Sequence, residues 1–117
     1  IKNKKLTVVT RKDLPIGYQA VQSGHAVADY ILENPIDAKD WNTTSNYLIF
    51  LTAKDEASLE KLIEKADVKG INHTVFREPD IGDQITAVAF EPTELTRKLV
   101  SSLPLLGNTN NLTNKNQ

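Results

Sequence analysis

The chain is predicted to be an α/β protein, a three-layer α/β/α sandwich built on a four-stranded mixed, mostly parallel sheet. Three observations carry that prediction. Short β-branched apolar runs alternate with longer segments whose apolar residues recur at helical spacing. The runs follow one another as β-α-β-α-β-β-α, the order of a sheet flanked by helices. At 117 residues and 39% hydrophobic content, the chain suffices for one core without disulfides or structural metal.

Leu6–Thr10 is short, apolar and β-branched, as a buried strand is, and Asp13-Leu14-Pro15 then supplies turn and helix-start signals. From Ile16 to Glu33 the residues Ala20, Gly24, Val27, Ala28, Ile31 and Leu32 fall at helical spacing and are expected to face the core. Asn34-Pro35 closes that helix, and the polar stretch 36–45 reads as a loop or short helix anchored by Trp41. Tyr47–Thr52 is a second buried strand. Asp55–Ala66 is an amphipathic helix with Asp55 as its cap and Gly70 just past its end. His73–Phe76 and Ile85–Phe90 are two further strands, separated by Arg77–Gln84. A last helix follows Pro92 and stops near Pro104. The Asn-rich residues 107–117 read as a tail, leaving 1–106 as the domain.

A net charge of −1 gives no overall positive field to draw in a polyanion, so a nucleic-acid partner would need a local patch. The chain has no cysteine, which excludes thiol catalysis, and its two histidines leave few metal ligands. Neither a metal nor a cofactor is expected. No apolar run approaches the ~20 residues of a membrane span, and the Lys-rich start lacks the apolar stretch of a secretory signal. Cytoplasmic location without a membrane partner is the expectation.

In α/β sheets, ligands bind beyond the carboxyl ends of the strands, where loops and helix starts converge. The segment from Asp13 to Gln22 has such a place. At about 100° per residue, Tyr18, Gln22, His25 and Asp29 share one stripe of the first helix, away from its apolar stripe. That stripe is either a solvated face or one wall of a site, and His25 alone can equally be structural. Ser23 and His25, two apart, point in different directions and make no nucleophile pair. Asp80-Ile81-Gly82 is the second candidate: it either presents a carboxylate and open amides, or is a turn that uses Asp and Gly for their conformations.

Two groups of residues together carry a resemblance. Arg11, Asp13 and Leu14, then Gly17, Ala20, Gln22, His25 and Ala26, match the R-x-D-L, G-K, A-Q and H-A steps of the type 2 peptidyl-tRNA hydrolases. Asp80-Ile81-Gly82-Asp83-Gln84 stands at that family's D-A-G-x-T motif, and Thr86–Pro92 at its following strand. The likeness spans most of residues 4–92. It departs at Tyr18, where the family has lysine, and at Gln84, where it has threonine. Two residues are also missing between Leu14 and Gly17, and the loop between Asp80 and Thr86 is shortened. The resemblance implies hydrolysis of the ester joining a peptide to tRNA, or of a related aminoacyl ester. Asp80, Thr86 and Tyr18 would then stand at the catalytic centre, and Arg11, Lys12, Gln22, His25, Gly82 and Gln84 would hold substrate, with Arg77 a further phosphate contact. Tyr18 offers one neutral donor where a lysine would offer a cation. The same fold is compatible with a catalytically silent module that binds tRNA or a small ligand, and with a regulatory or assembly protein that pairs as a homodimer.

Overall fold

A computed structural model describes residues 4–108. The strands β1 (Lys5–Arg11), β2 (Tyr47–Ala53), β3 (His73–Glu78) and β4 (Gln84–Phe90) form one sheet in the order β2-β1-β4-β3. Around it lie the helices α1 (Ile16–Glu33), α2 (Pro35–Thr44), α3 (Glu56–Lys69) and α4 (Glu94–Leu99). Stretch 36–45 is thus mostly helical, with Pro35 in the first turn, where its missing N–H costs nothing.

β1 and β2 pair in parallel through the α1–α2 crossover, whereas β4 lies antiparallel between β1 and β3. Three strands therefore run one way, as the sequence suggests. Two of the three pairings are nevertheless antiparallel, because β3 returns directly into β4 through a tight connection. A single 3-10 turn, Pro79–Ile81, makes it, and Gly82 and Asp83 follow at φ 71° and 60°. On the outer side of β2, Thr52 N–H donates to Pro104 O and Leu106 N–H to Phe50 O, both at 2.9 Å. That return strip covers part of an edge that would otherwise be open to another chain. Residues 109–117, the greater part of the expected tail, lie outside the described residues.

Each sheet face has its own core. Val9, Leu51, Val88 and Phe90 meet Leu59, Leu62 and Ala66 of α3 on one side, while Leu6, Val8, Ala87 and Ala89 meet Ala26, Tyr30 and Trp41 on the other. Alternation along β4 breaks once. Phe76 pairs with Ala87 but Arg77 pairs with Ile85, so Thr86 is the extra residue of a bulge. Ile85 consequently joins the Val88 and Phe90 face, and Thr86 is left facing α1.

The inward face of α1 differs from the one its apolar residues suggest. Gln19, Gln22, Ser23, Ala26 and Tyr30 are buried, at helical spacing. Ala20, Gly24, Ala28, Ile31 and Leu32 face outward, and Val27 is half-buried. The reason is that each buried polar group finds a fixed partner. Gln19 Nε2 donates to Leu14 O (2.6 Å) and Lys12 O (3.2 Å), closing the β1–α1 connection. Ser23 Oγ lies 2.5 Å from Thr10 Oγ1 and donates to Gln19 O. Burying a polar group is costly only when it is left unpaired.

Candidate active site

The start of α1 packs across the carboxyl end of β3, and strand alternation there places Thr74, Phe76 and Glu78 against the helix. Thr74 Oγ1 donates to Glu33 Oε1 at 2.9 Å, Phe76 stacks on His25 with centroids 4.6 Å apart, and Glu78 Oε1 accepts from Gln22 Nε2 at 2.8 Å. These three contacts form a ladder along the α1–β3 seam, and its open end holds the polar groups.

Gln22 is fully buried at the centre of that end. Its amide nitrogen donates to Glu78, and its Oε1 accepts the hydroxyl of the bulge residue Thr86 at 2.5 Å. Rotating the amide by half a turn would set its oxygen against a carboxylate, so ionised Glu78 fixes the amide and the amide fixes the Thr86 hydroxyl. Glu78 Oε2 also accepts the backbone N–H of Asp80 at 3.2 Å, tying the 3-10 turn to the seam. The bond from Gln22, then that from the Asp80 amide, lower the Glu78 pKa against the opposing effect of burial, with His25 adding a smaller favourable field. Glu78 is therefore a carboxylate at neutral pH.

Tyr18 lies one turn before Gln22 on the same side of α1 and is half-buried. Burial pushes its phenol pKa up, and the charges of Glu78 and Asp80 push it further in the same direction. The hydroxyl thus keeps its proton in the field of two acids and is available to donate to a ligand. Asp80 is exposed, and among the described residues its carboxylate accepts no hydrogen bond, so both oxygens are open to a ligand. The site combines one held carboxylate, one open carboxylate and one neutral hydroxyl donor, with a buried amide and threonine fixing their frame.

Of the residues singled out in the sequence, Tyr18, Gln22, His25, Asp80 and Thr86 gather here. Arg11 and Gln84 do not join them. Arg11 grips Asp13 with Nε at 3.0 Å and Nη2 at 2.9 Å, and its Nη1 donates to Gln84 Oε1 at 2.7 Å and Ile85 O at 3.3 Å. That grip raises the arginine pKa and lowers that of Asp13. Beyond the Thr10–Ala87 pair the β1–β4 register ends. There Arg11 takes the Ile85 carbonyl, and Glu56 Oε2 takes its amide at 2.8 Å. The R-x-D pair thus braces the sheet end, with Nε and both terminal nitrogens of Arg11 engaged there. Lys12 is exposed on the connection, with its carbonyl held by Gln19. Gly82 serves as the left-handed residue ending the 3-10 turn. Arg77 donates to Asp83 O at 3.2 Å on the exposed side of the hairpin.

Glu78 is a member of the cluster that sequence reasoning misses. Its signal lies in strand alternation: extending His73–Phe76 by two residues puts Glu78 in phase with Thr74 and Phe76, but the following Pro79 makes 77–84 read as a loop. Elsewhere, a cavity of about 550 Å³ between α4 and the β1–β2 side of the sheet is lined by Ile49, Leu51, Val100 and Leu103 with Lys5 and Arg97. It shares no residue with the carboxylate cluster. Among the described residues no group of three His, Asp or Glu side chains is placed to hold a metal ion.

A family model described as "Peptidyl-tRNA hydrolase PTH2" matches residues 4–106. Comparison with curated proteins gives no match. Among solved structures, a protein of unknown function, Atu0240, from Agrobacterium tumefaciens strain C58 superposes with a TM-score of 0.67 at 10% identity, covering 90% of this chain and 98% of its own. At that identity the likeness is one of fold.

Proposed function

The chain belongs to the peptidyl-tRNA hydrolase PTH2 family, and from that premise we propose that it hydrolyses the ester between a peptidyl or aminoacyl carboxyl group and the tRNA ribose. The observation that carries the proposal is the gathering of Tyr18, Glu78 and Asp80 around the buried Gln22–Thr86 pair, within a domain of that family. Ester hydrolysis needs an oriented water, a base for its proton and a donor for the developing oxyanion. Asp80, with open oxygens, takes the proton as the water oxygen bonds to the carbonyl carbon. The Tyr18 hydroxyl donates to the carbonyl oxygen as it gains negative charge. Collapse breaks the carbon–ribose oxygen bond, and the proton on Asp80 passes to the leaving hydroxyl. Glu78 holds the Asp80 turn in place and keeps the Tyr18 proton on.

A second reading is favoured by Tyr18 itself. With a neutral phenol at the helix start and Arg11 committed to Asp13 and Gln84, the cluster has no lysine or arginine among the described residues to offset phosphate charge, which suits a module that holds the aminoacyl end without cleaving it. Turnover of a purified N-acetyl-aminoacyl-tRNA decides between them. Wild-type protein is expected to release free tRNA, and Asp80→Asn to lower kcat by ~10²–10⁴, the range of a general base. Intact ester at high protein concentration, with retained tRNA binding, would instead establish the binding module.

A further inference from the structure

We propose that the cavity between α4 and the β1–β2 side of the sheet is a binding site for a small amphipathic anion, an aliphatic chain that ends in a carboxylate. The chain lies among Ile49, Leu51, Val100 and Leu103, and the carboxylate meets Lys5 and Arg97. This inference goes beyond the hydrolase reading and does not depend on it, because the cavity and the Asp80 cluster have no residue in common.

The cavity follows from the shortness of α4. Strand alternation turns Lys5, Thr7 and Val9 of β1 and Ile49, Leu51 and Ala53 of β2 to one face of the sheet, with Thr7 opposite Ile49 in the register. α3 closes the later half of that face, where Val9 and Ala53 join Leu59 and Leu62. α4 spans six residues, about 9 Å of helix, beside a seven-residue β1 of about 23 Å. The earlier half is therefore walled by Pro92, Val100, Leu103 and Leu105, and a space of about 550 Å³ remains. That volume lies within the ~300–1,000 Å³ of small-molecule sites.

The lining selects the class of ligand. Its apolar walls are branched aliphatic residues and proline, with no aromatic side chain among the described residues, so an alkyl chain fits where a planar ring would find no face to stack on. The buried Thr7 hydroxyl is already used, donating to Lys5 O at 3.1 Å. Lys4, Lys5 and Arg97 line the cavity against a single carboxylate, Glu94, and that balance favours an anion. Lys4 pairs with Asp40, and Arg97 gives Nη1 to Glu94 at 2.8 Å, keeping Nε and Nη2 for another acceptor. Lys5 is the decisive group. It is half-buried, and among the described residues its ammonium makes no ion pair or hydrogen bond. A partly desolvated cation without a counter-ion, set beside apolar walls, matches a carboxylate that carries an apolar tail. The recess is bounded by α4 on one side and by the return strip at Leu105 on the other, which suits one free amphiphile and not a lipid surface.

Octanoate is the probe, titrated by calorimetry and followed by thermal melts of the full chain. One equivalent should bind saturably and raise Tm with concentration, as a ligand of the folded state does. Octanol should bind at least about tenfold more weakly, and octylammonium more weakly still. Lys5→Met keeps an unbranched stem, and it should weaken octanoate about tenfold or more while leaving octanol unchanged, a split that a merely structural lysine would not give. Ile49→Trp fills the cavity, and Ser101→Trp narrows it from an exposed position on its wall, so each should abolish binding of both probes. Melts without ligand confirm that each variant folds, and Ser101→Trp decides the matter if Ile49→Trp does not fold. The inference is overturned by the absence of saturable octanoate binding, by octylammonium binding as tightly as octanoate, or by affinity indifferent to the tryptophan variants. Adherence to phosphatidylglycerol vesicles by a chain that ignores free octanoate would overturn it equally.

Discussion

Thr86 shows how much one buried hydroxyl can hold in place. It is fully buried and donates to Gln22, whose other end holds Glu78, so Thr86→Val leaves the Gln22 carbonyl without its donor. An unsatisfied buried group costs about 1–3 kcal/mol, and denaturant unfolding is expected to show a loss of that size. Thr96 gives the opposite case: its Oγ1 is buried with no hydrogen-bond partner among the described residues. Thr96→Val removes that unsatisfied oxygen while keeping the shape, and the same measurement should show no loss or a gain of up to ~1 kcal/mol. Glu78 supplies a pH signature. Its pKa is lowered in the fold, so the stabilisation it contributes is complete above its unfolded value of about 4.3 and is lost as pH falls through the folded value. Glu78→Gln should therefore flatten the fall of Tm on acidification below about pH 4.5 while lowering Tm at pH 7. An unchanged acid limb would show that Glu78 does not hold the seam.

At the scale of elements, α3 is stabilised by signals that lie wholly in the local sequence. Asp55 Oδ1 accepts Ser58 N–H at 2.9 Å, and Gly70 ends the helix at φ 70°. Asp55→Ala should cost ~1 kcal/mol in unfolding free energy, the ordinary value of an N-cap. The sequence predicts α3 and all four strands for the same reason: their period, caps and turn residues are local. It misreads the face of α1 because the partners that make Gln22 buriable, Glu78 and Thr86, lie 56 and 64 residues away along the chain. The usual inference that apolar residues point inward then selects the wrong side. The bulge at Thr86 is equally silent in sequence, since Ile85–Phe90 alternates as any strand would, and the break in phase exists only relative to β3. Asp80 is legible because a turn and a family motif coincide there. The same resemblance makes Arg11 a substrate contact, whereas its geometry is that of a brace.

For the whole molecule, charge placement sets what a nucleic-acid partner can feel. The net charge is −1, and Arg11, at the end of β1, is spent on Asp13 and Gln84. Arg97 pairs with Glu94, and Lys4 with Asp40, at positions outside the carboxylate cluster. Lys12 on the β1–α1 connection and Arg77 near the end of β3 are exposed cations that flank the site residues in sequence. Each phosphate neutralised on a single strand contributes about −0.7 to the slope of log affinity against log salt. Two such contacts predict a slope of about −1.4, far shallower than that of a protein that grips a duplex through many phosphates. Filter or fluorescence titration of tRNA from low to moderate salt measures it directly. Lys12→Ala and Arg77→Ala should each reduce the slope by roughly 0.7, and the double variant should leave almost none. A slope steeper than about −4 in the wild type would require a basic surface away from these two residues, and would place the tRNA on a different part of the molecule from the Asp80 cluster.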